Sequence, residues 1–217
     1  MSHNHQAVIE TRGEYIADAI VHALGVSAAL VGVIALHLLA PETISLASRI
    51  ALIVYSIGLL MTFGFSAAYN TTTHAGIKAV LRRLDHGAIF LMIAGTYTPI
   101  SLIGIGGTLG IGLAVSVWVI AVIGVVIKLF FPLSNRWLSI ALYLGQSWVA
   151  LIAIIPIYQA LSTYAFAMMV GGGLVYTFGV LIYRQKSWPF NRAIWHGFVL
   201  TASVLHYTVV LDVVGIM

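Results

Sequence analysis

Residues 66–99 read S-A-A-Y-N-T-T-T-H-A-G-I-K-A-V-L-R-R-L-D-H-G-A-I-F-L-M-I-A-G-T-Y-T-P, and they decide what kind of protein this is. The stretch closes one apolar run, crosses a basic segment carrying Lys78, Arg82 and Arg83, and opens a second apolar run on an acid. Asp85 stands at the head of that run, with His86 beside it. Burying an ionisable group at membrane depth costs several kcal/mol unless it is paired, so such a residue is a functional-site hypothesis by default. The question is which other polar side chains reach it.

Working outward, seven stretches are long and apolar enough to cross a bilayer as helices: 16–39, 47–69, 86–105, 109–131, 137–156, 162–183 and 194–214. Of the 217 residues, 61% are hydrophobic and 7% charged, with a mean hydropathy of +1.05. A water-soluble domain is about a quarter charged. The alternating segments of a membrane β-barrel are absent. The expected fold is therefore all-α and polytopic, with a polar tail over 1–15 and a single seven-helix membrane domain over 16–217. Pro156 is expected to end or kink the fifth run. Acids (Glu10, Glu14, Asp18) precede the first run and no cleavage site follows it, so the beginning of the chain is not read as a signal peptide. His3 and His5 read as part of a frayed tail. With no cysteine, disulfides, thiolate metal sites and cysteine nucleophiles are excluded.

Charge sets the expected topology. All ten Lys and Arg residues except Arg49 fall on the N-terminus and on the second, fourth and sixth loops. The positive-inside rule then puts the N-terminus in the cytoplasm and the C-terminus outside. The basic residues are dispersed over separate loops, so nucleic acid is not an expected partner; membrane lipids are.

This topology gathers polar residues at one level: Glu14, Asp18 and His22 on the first span, Ser66 and Asn70 on the second, Asp85 and His86 on the third, Arg192 and His196 on the seventh. The i, i+4 spacings put Glu14, Asp18 and His22 on one helix face, and likewise Ser66 with Asn70 and Arg192 with His196. Such groups facing one interior bind a metal, relay protons or do acid–base chemistry. Interfacial polar residues also cap helices and pair with one another, and spacing alone leaves both readings open. His206, about 15 Å deeper than His196, is expected to bond to a neighbouring helix. His37 and Asp212 are expected to be solvated at the opposite end. Lys128, Arg136, Arg184 and Lys186 are expected to anchor to lipid headgroups, and Trp137, Trp188 and Trp195 to form an interfacial belt.

R-L-D-H-G-A-I-F-L-M-I-A-G-T-Y-T-P at 83–99 resembles the signature of the haemolysin III family, which groups with the progestin and adiponectin receptors and more distantly with the alkaline ceramidases. The resemblance extends through E-Y-I-A-D-A-I-V-H-A-L-G at 14–25, S-A-A-Y-N at 66–70, and I-W-H-G-F-V-L with L-H between 194 and 206. It implies a bacterial cytoplasmic-membrane protein with seven helices and a zinc site near the cytoplasmic face. That site is built from a Ser-x-x-x-His pair, an Asp and a His-x-x-x-His pair. Ser66, Asp85 and His196 match; Asn70 and Arg192 stand where two of the histidines are expected.

Zinc therefore remains a candidate cofactor on His196 and Asp85, with His86 and His74 as accessory ligands. Arg192, a fixed cation, is instead expected to form an ion pair with Asp85. Two functions follow. One is a metal-dependent hydrolase of lipid amides or esters, with Ser66 and Asp85 orienting water or shuttling its proton, acting in membrane lipid homeostasis. The other is a non-enzymatic membrane sensor or regulator, or a pore-former of haemolysin type.

Overall fold

The computed structural model describes residues 11–131, 136–185 and 187–217. The readings made for His3, His5 and Lys186, and for the side chain of Arg136, lie outside that description. Among the described residues all regular structure is helical. The helices are α1 (Arg12–Leu39), α2 (Leu46–Thr71), α3 (Ala75–Pro99), α4 (Gly107–Phe130), α5 (Arg136–Ser147), α6 (Ile154–Ala160), α7 (Thr163–Arg184) and α8 (Asn191–Val213). A π-helical turn, Ile100–Ile105, extends α3, and a 3₁₀ stretch, Trp148–Ala153, joins α5 to α6 into one span. Seven helical spans are thus long and apolar enough to cross a membrane.

The faces of these helices show which solvent they meet. On one turn of α1, Leu36 is wholly buried while Leu38 is 79% exposed, and Ile152 is 87% exposed. Large aliphatics point outward, as hydrocarbon permits and water does not. The interior uses small residues for close approach. A Cβ added to Gly95 would lie 3.3 Å from the Val54 carbonyl oxygen, and one added to Gly58 would lie 3.1 Å from that of Leu91. These glycines let the backbones of α2 and α3 touch, the usual device for packing helices where no water is expelled. Thr62 adds a hydrogen bond across the same seam, from its hydroxyl to the Ala88 carbonyl (3.2 Å). α3 is the most deeply buried span and contributes to both apolar clusters of the core.

Several boundaries differ from the sequence reading. α3 begins at Ala75, so Lys78, Arg82 and Arg83 form its first turns and Asp85 sits well inside the helix. Hydropathy reads such a basic opening as a loop, although Lys, Arg, Ala and Leu are all good helix formers. α1 also begins earlier, at Arg12, because Thr11 and Glu14 form a reciprocal capping box.

The fifth span does not stop at Pro156; it runs to Ala160. Proline cannot donate to the carbonyl four residues back and crowds it, so regular α-helix fails over the preceding turn. Here the residues before Pro156 wind as 3₁₀ helix, and Tyr97 of α3 repairs the join. Its hydroxyl donates to the Ser147 carbonyl (2.7 Å) and accepts from the Ala150 amide (2.7 Å). In lipid, backbone groups released by a helix break must find partners inside the protein. At the end of the bundle away from the basic residues, Asp212 of α8 accepts from both the hydroxyl (2.7 Å) and the amide (3.3 Å) of Ser162 and so ties α8 to the N-cap of α7. His37 bonds the Ser56 hydroxyl at 3.0 Å. Both residues thus hold the fold together at positions where simple solvation was expected.

Tyr97→Phe removes this repair while keeping the ring. It is expected to lower stability by about 1–3 kcal/mol, the usual penalty for leaving buried polar groups unpaired. Equilibrium unfolding in detergent measures it, and an unchanged midpoint would show that the break supports itself.

Candidate functional site

The basic end of the bundle assembles its polar cluster from the first and last spans. Glu14, placed by spacing in the polar stripe of α1, serves the caps instead. One carboxylate oxygen accepts from the Thr11 amide (2.8 Å) and hydroxyl (2.8 Å), the other from the Phe190 amide (2.9 Å). Phe190 is the one described non-glycine residue at positive φ (57°), and it forms the N-cap of α8. That left-handed conformation is uncommon for a bulky side chain, and Glu14 holds it from the neighbouring helix.

One turn deeper lies Asp18, only 2% exposed. Its Oδ1 is 2.6 Å from His196 Nδ1, and its Oδ2 accepts from the Arg192 guanidinium at 2.9 Å. His22, one turn further along α1, places Nε2 3.6 Å from Oδ2 of the same carboxylate. The His22 and His196 rings are in contact, with 4.3 Å between centroids and their planes tilted by 50°. Arg192 also donates to the Asn70 amide oxygen (2.7 Å), and Asn70 in turn donates to the Ser66 carbonyl (2.8 Å). An ionised carboxylate only accepts, so His196 Nδ1 carries a proton here.

The ion pair expected between Arg192 and Asp85 is thus formed with Asp18. Arg192 leaves α8 on the side facing α1, and the acid there is the more deeply buried of the two. Asp85 stays on α3 and lines the same cavity as Ser66 of α2. His74 caps α3, its Nδ1 accepting from the Ile77 amide at 3.4 Å, and lies outside the cluster. His86 lends its carbonyl to the Tyr143 hydroxyl (2.9 Å), while His206 bonds the Met169 carbonyl (3.2 Å) on α7. Trp195 turns inward beside Tyr183 (5.3 Å), leaving Trp137 and Trp188 at the surface.

These side chains border a cavity of about 1060 Å³ at the basic end. Ser66, Asn70, Asp85, His86, Arg192 and His196 all line it, and Phe63, Met92 and Val199 make its depth apolar. Lys128 lines it too. That residue, expected to reach out to headgroups, is buried and donates to the Ser139 hydroxyl. The sequence carries a signal for this: Val117, Ala121, Gly124 and Lys128 repeat at helical spacing, and all four belong to the buried face of α4.

Among the described residues, Asp18, His22 and His196 form a group whose ligand atoms lie within 4.8 Å of one another. The zinc positions that the resemblance implies do not fit a metal here, because Asn70 and Arg192 replace two imidazoles. The triad fits better. His22 Nε2 is buried with no hydrogen-bond partner. Its 3.6 Å separation from Asp18 Oδ2 is close to the roughly 3.3 Å between two ligands of one tetrahedral zinc ion. Arg192 competes for that oxygen.

Arg192→Ala removes the cation that offsets Asp18. Deleting one partner of a buried pair costs about 3–5 kcal/mol, but the Arg192 side chain is 38% exposed, so screening reduces the expected loss to about 1–3 kcal/mol. Adding Asp18→Asn in that background restores part of it. Thermal unfolding in detergent at neutral pH reads both effects, and an Arg192→Ala protein as stable as wild type would count against the pair.

The model of the family described as haemolysin-III related matches residues 14–207. The chain is 37% identical to the hemolysin-3 homolog of Bacillus subtilis, over 91% of this chain and 93% of the relative. It is 34% identical to hemolysin-3 of Bacillus cereus, over 91% and 90% respectively. It is 25% identical to the human monocyte to macrophage differentiation factor, over 89% and 82%.

Proposed function

The chain belongs to the haemolysin III-related family, and from that premise we propose that it is a lipid-directed protein of a bacterial cytoplasmic membrane, a metal-dependent hydrolase of lipid amides or esters. The positive-inside distribution supports an orientation with its basic end toward the cytoplasm. The observation that carries the reading is the unpartnered, buried Nε2 of His22 beside Asp18 and His196, at a cavity that also presents Ser66 and Asp85. Asp18, His22 and His196 would hold the ion. A zinc ion bound there supplies Lewis acidity toward a carbonyl and a water activated at neutral pH.

The remaining work falls to the side chains. The Asp18 carboxylate fixes the orientation and tautomer of His196. Ser66 and Asp85, on two neighbouring helices, present a hydroxyl and a carboxyl to the cavity and would orient water and take up or return a proton. The apolar depth of the cavity receives a hydrocarbon chain and limits access of bulk water.

A second reading rests on Arg192. Its guanidinium already neutralises Asp18 and cross-links α8 to α1 and α2. A site completed in this way suits a sensor or regulator that binds lipid without reacting with it.

Elemental analysis of the detergent-purified protein, combined with release of product from a fluorogenic acyl-amide or acyl-ester lipid, separates the two. The hydrolase reading expects near one zinc per chain, turnover that stops on chelation, and a loss of about tenfold or more in zinc affinity and rate for His22→Ala. Protein that holds no metal until Asn70→His and Arg192→His are introduced together would overturn it in favour of the sensor.

A further inference from the structure

We propose that the wall of the cavity formed by α3, α4 and α5 is a phosphate site, selecting lipids with an anionic phosphate headgroup. It is separate from the Asp18 cluster and is built on Lys128, Arg82 and Ser139, with the ring of Tyr143 beside the ammonium and its hydroxyl given to the His86 carbonyl. Lys128, Arg82, Ser139 and Tyr143 all line the cavity. Lys128 is 9% exposed, its ammonium donates to the Ser139 hydroxyl, and it stands 5.6 Å from the centre of the Tyr143 ring. Arg82, on α3, lines the same cavity as Lys128 on α4, and these two helices pack against one another.

Two like charges on one cavity wall repel one another, and an anion held between them relieves that repulsion. Among the described residues, no carboxylate forms an ion pair with either of them. Of the two acids lining the cavity, Glu14 is held by Thr11 and Phe190, and Asp85 makes no ion pair with Lys128 or Arg82 among the described residues. A lysine serving only topology would extend its ammonium to the membrane surface. Lys128 instead lies on the buried face of α4, with its head at the cavity. Phosphate is the anion suited to this wall: it accepts from several donors at once, and lysine with arginine is its usual protein partner.

The same cavity runs inward past Ile89, Met92 and Ile93, which gives an amphiphile a place for its chain. This half of the inference rests on the lipid reading above, whereas the charge argument stands without it. Bound in this way, the headgroup would sit at the basic wall with the proximal part of its chain directed toward Ser66 and Asp85.

Binding of dioleoyl phosphatidylglycerol and of dioleoyl phosphatidylcholine to the full chain in detergent micelles, by thermal shift and native mass spectrometry, tests this. Metal is chelated throughout, so that loss of zinc chemistry and loss of headgroup binding are read separately. Phosphatidylglycerol is expected to stabilise the wild type more than phosphatidylcholine. Its affinity should fall about tenfold or more in Lys128→Met and in Arg82→Gln, and stay unchanged in Arg49→Gln at the opposite end. Arg82 is exposed, so its variant serves even where Lys128→Met impairs folding. Inorganic phosphate displacing the lipid at matched ionic strength would confirm the chemistry of the site. Inorganic phosphate giving the full shift by itself would assign the site to the free ion and overturn the lipid as its source. Equal binding of both lipids, or full affinity in Arg82→Gln, would overturn the site.

Discussion

The burial of one carboxylate constrains this molecule more than any other interaction. Asp18 is 2% exposed inside a helix that otherwise meets hydrocarbon, and such a charge persists only when its neighbours replace the water it has lost. Arg192 and His196 do so by hydrogen bonding to it, with His22 standing 3.6 Å away. Because two of those partners belong to α8, the requirement of one side chain on the first span fixes where the last span must stand. The Glu14–Phe190 bond repeats the same connection one turn nearer the surface.

The opposite design governs the seam between α2 and α3. There polarity is nearly absent and proximity is everything: Gly58 and Gly95 remove the side chains that would separate the two backbones. The bundle is therefore held by two kinds of contact. Close van der Waals packing sets the centre around α3, and hydrogen-bonded charge closes the ring between α1 and α8. Between them lies the cavity, bounded on one side by the Asp18 cluster and on the other by Lys128 and Arg82.

Much of this is legible in the sequence, for reasons that particular residues make clear. The seven spans are visible because hydrocarbon imposes a length and a composition on whatever crosses it. Asp18 and His22 are readable as one face because helical spacing is local. That Asp18 rather than Asp85 takes Arg192 is not readable, because depth in the membrane says nothing about which helices are neighbours. The early start of α3 escapes hydropathy because Lys78, Arg82 and Arg83 are favourable in a helix yet unfavourable in lipid. The 3₁₀ stretch before Pro156 is announced by the proline, but its repair by Tyr97 from another span is a tertiary fact. Lys128 is the intermediate case: its helical register with Val117, Ala121 and Gly124 points it inward, against the expectation that a terminal lysine seeks the headgroups.

The union of α1 with α8 also orders events during biosynthesis. Helices enter the membrane in the sequence in which the ribosome makes them, so α1 arrives with Asp18 and His22 long before Arg192 and His196 exist. Until then the acid on α1 must stay near the interface, hydrated or protonated, and the first span cannot settle at its final depth. Docking of the last span is the step that neutralises Asp18, closes the ring and walls the cavity. Completion of the polar cluster thus coincides with completion of the bundle, because Arg192 and His196 come only with α8.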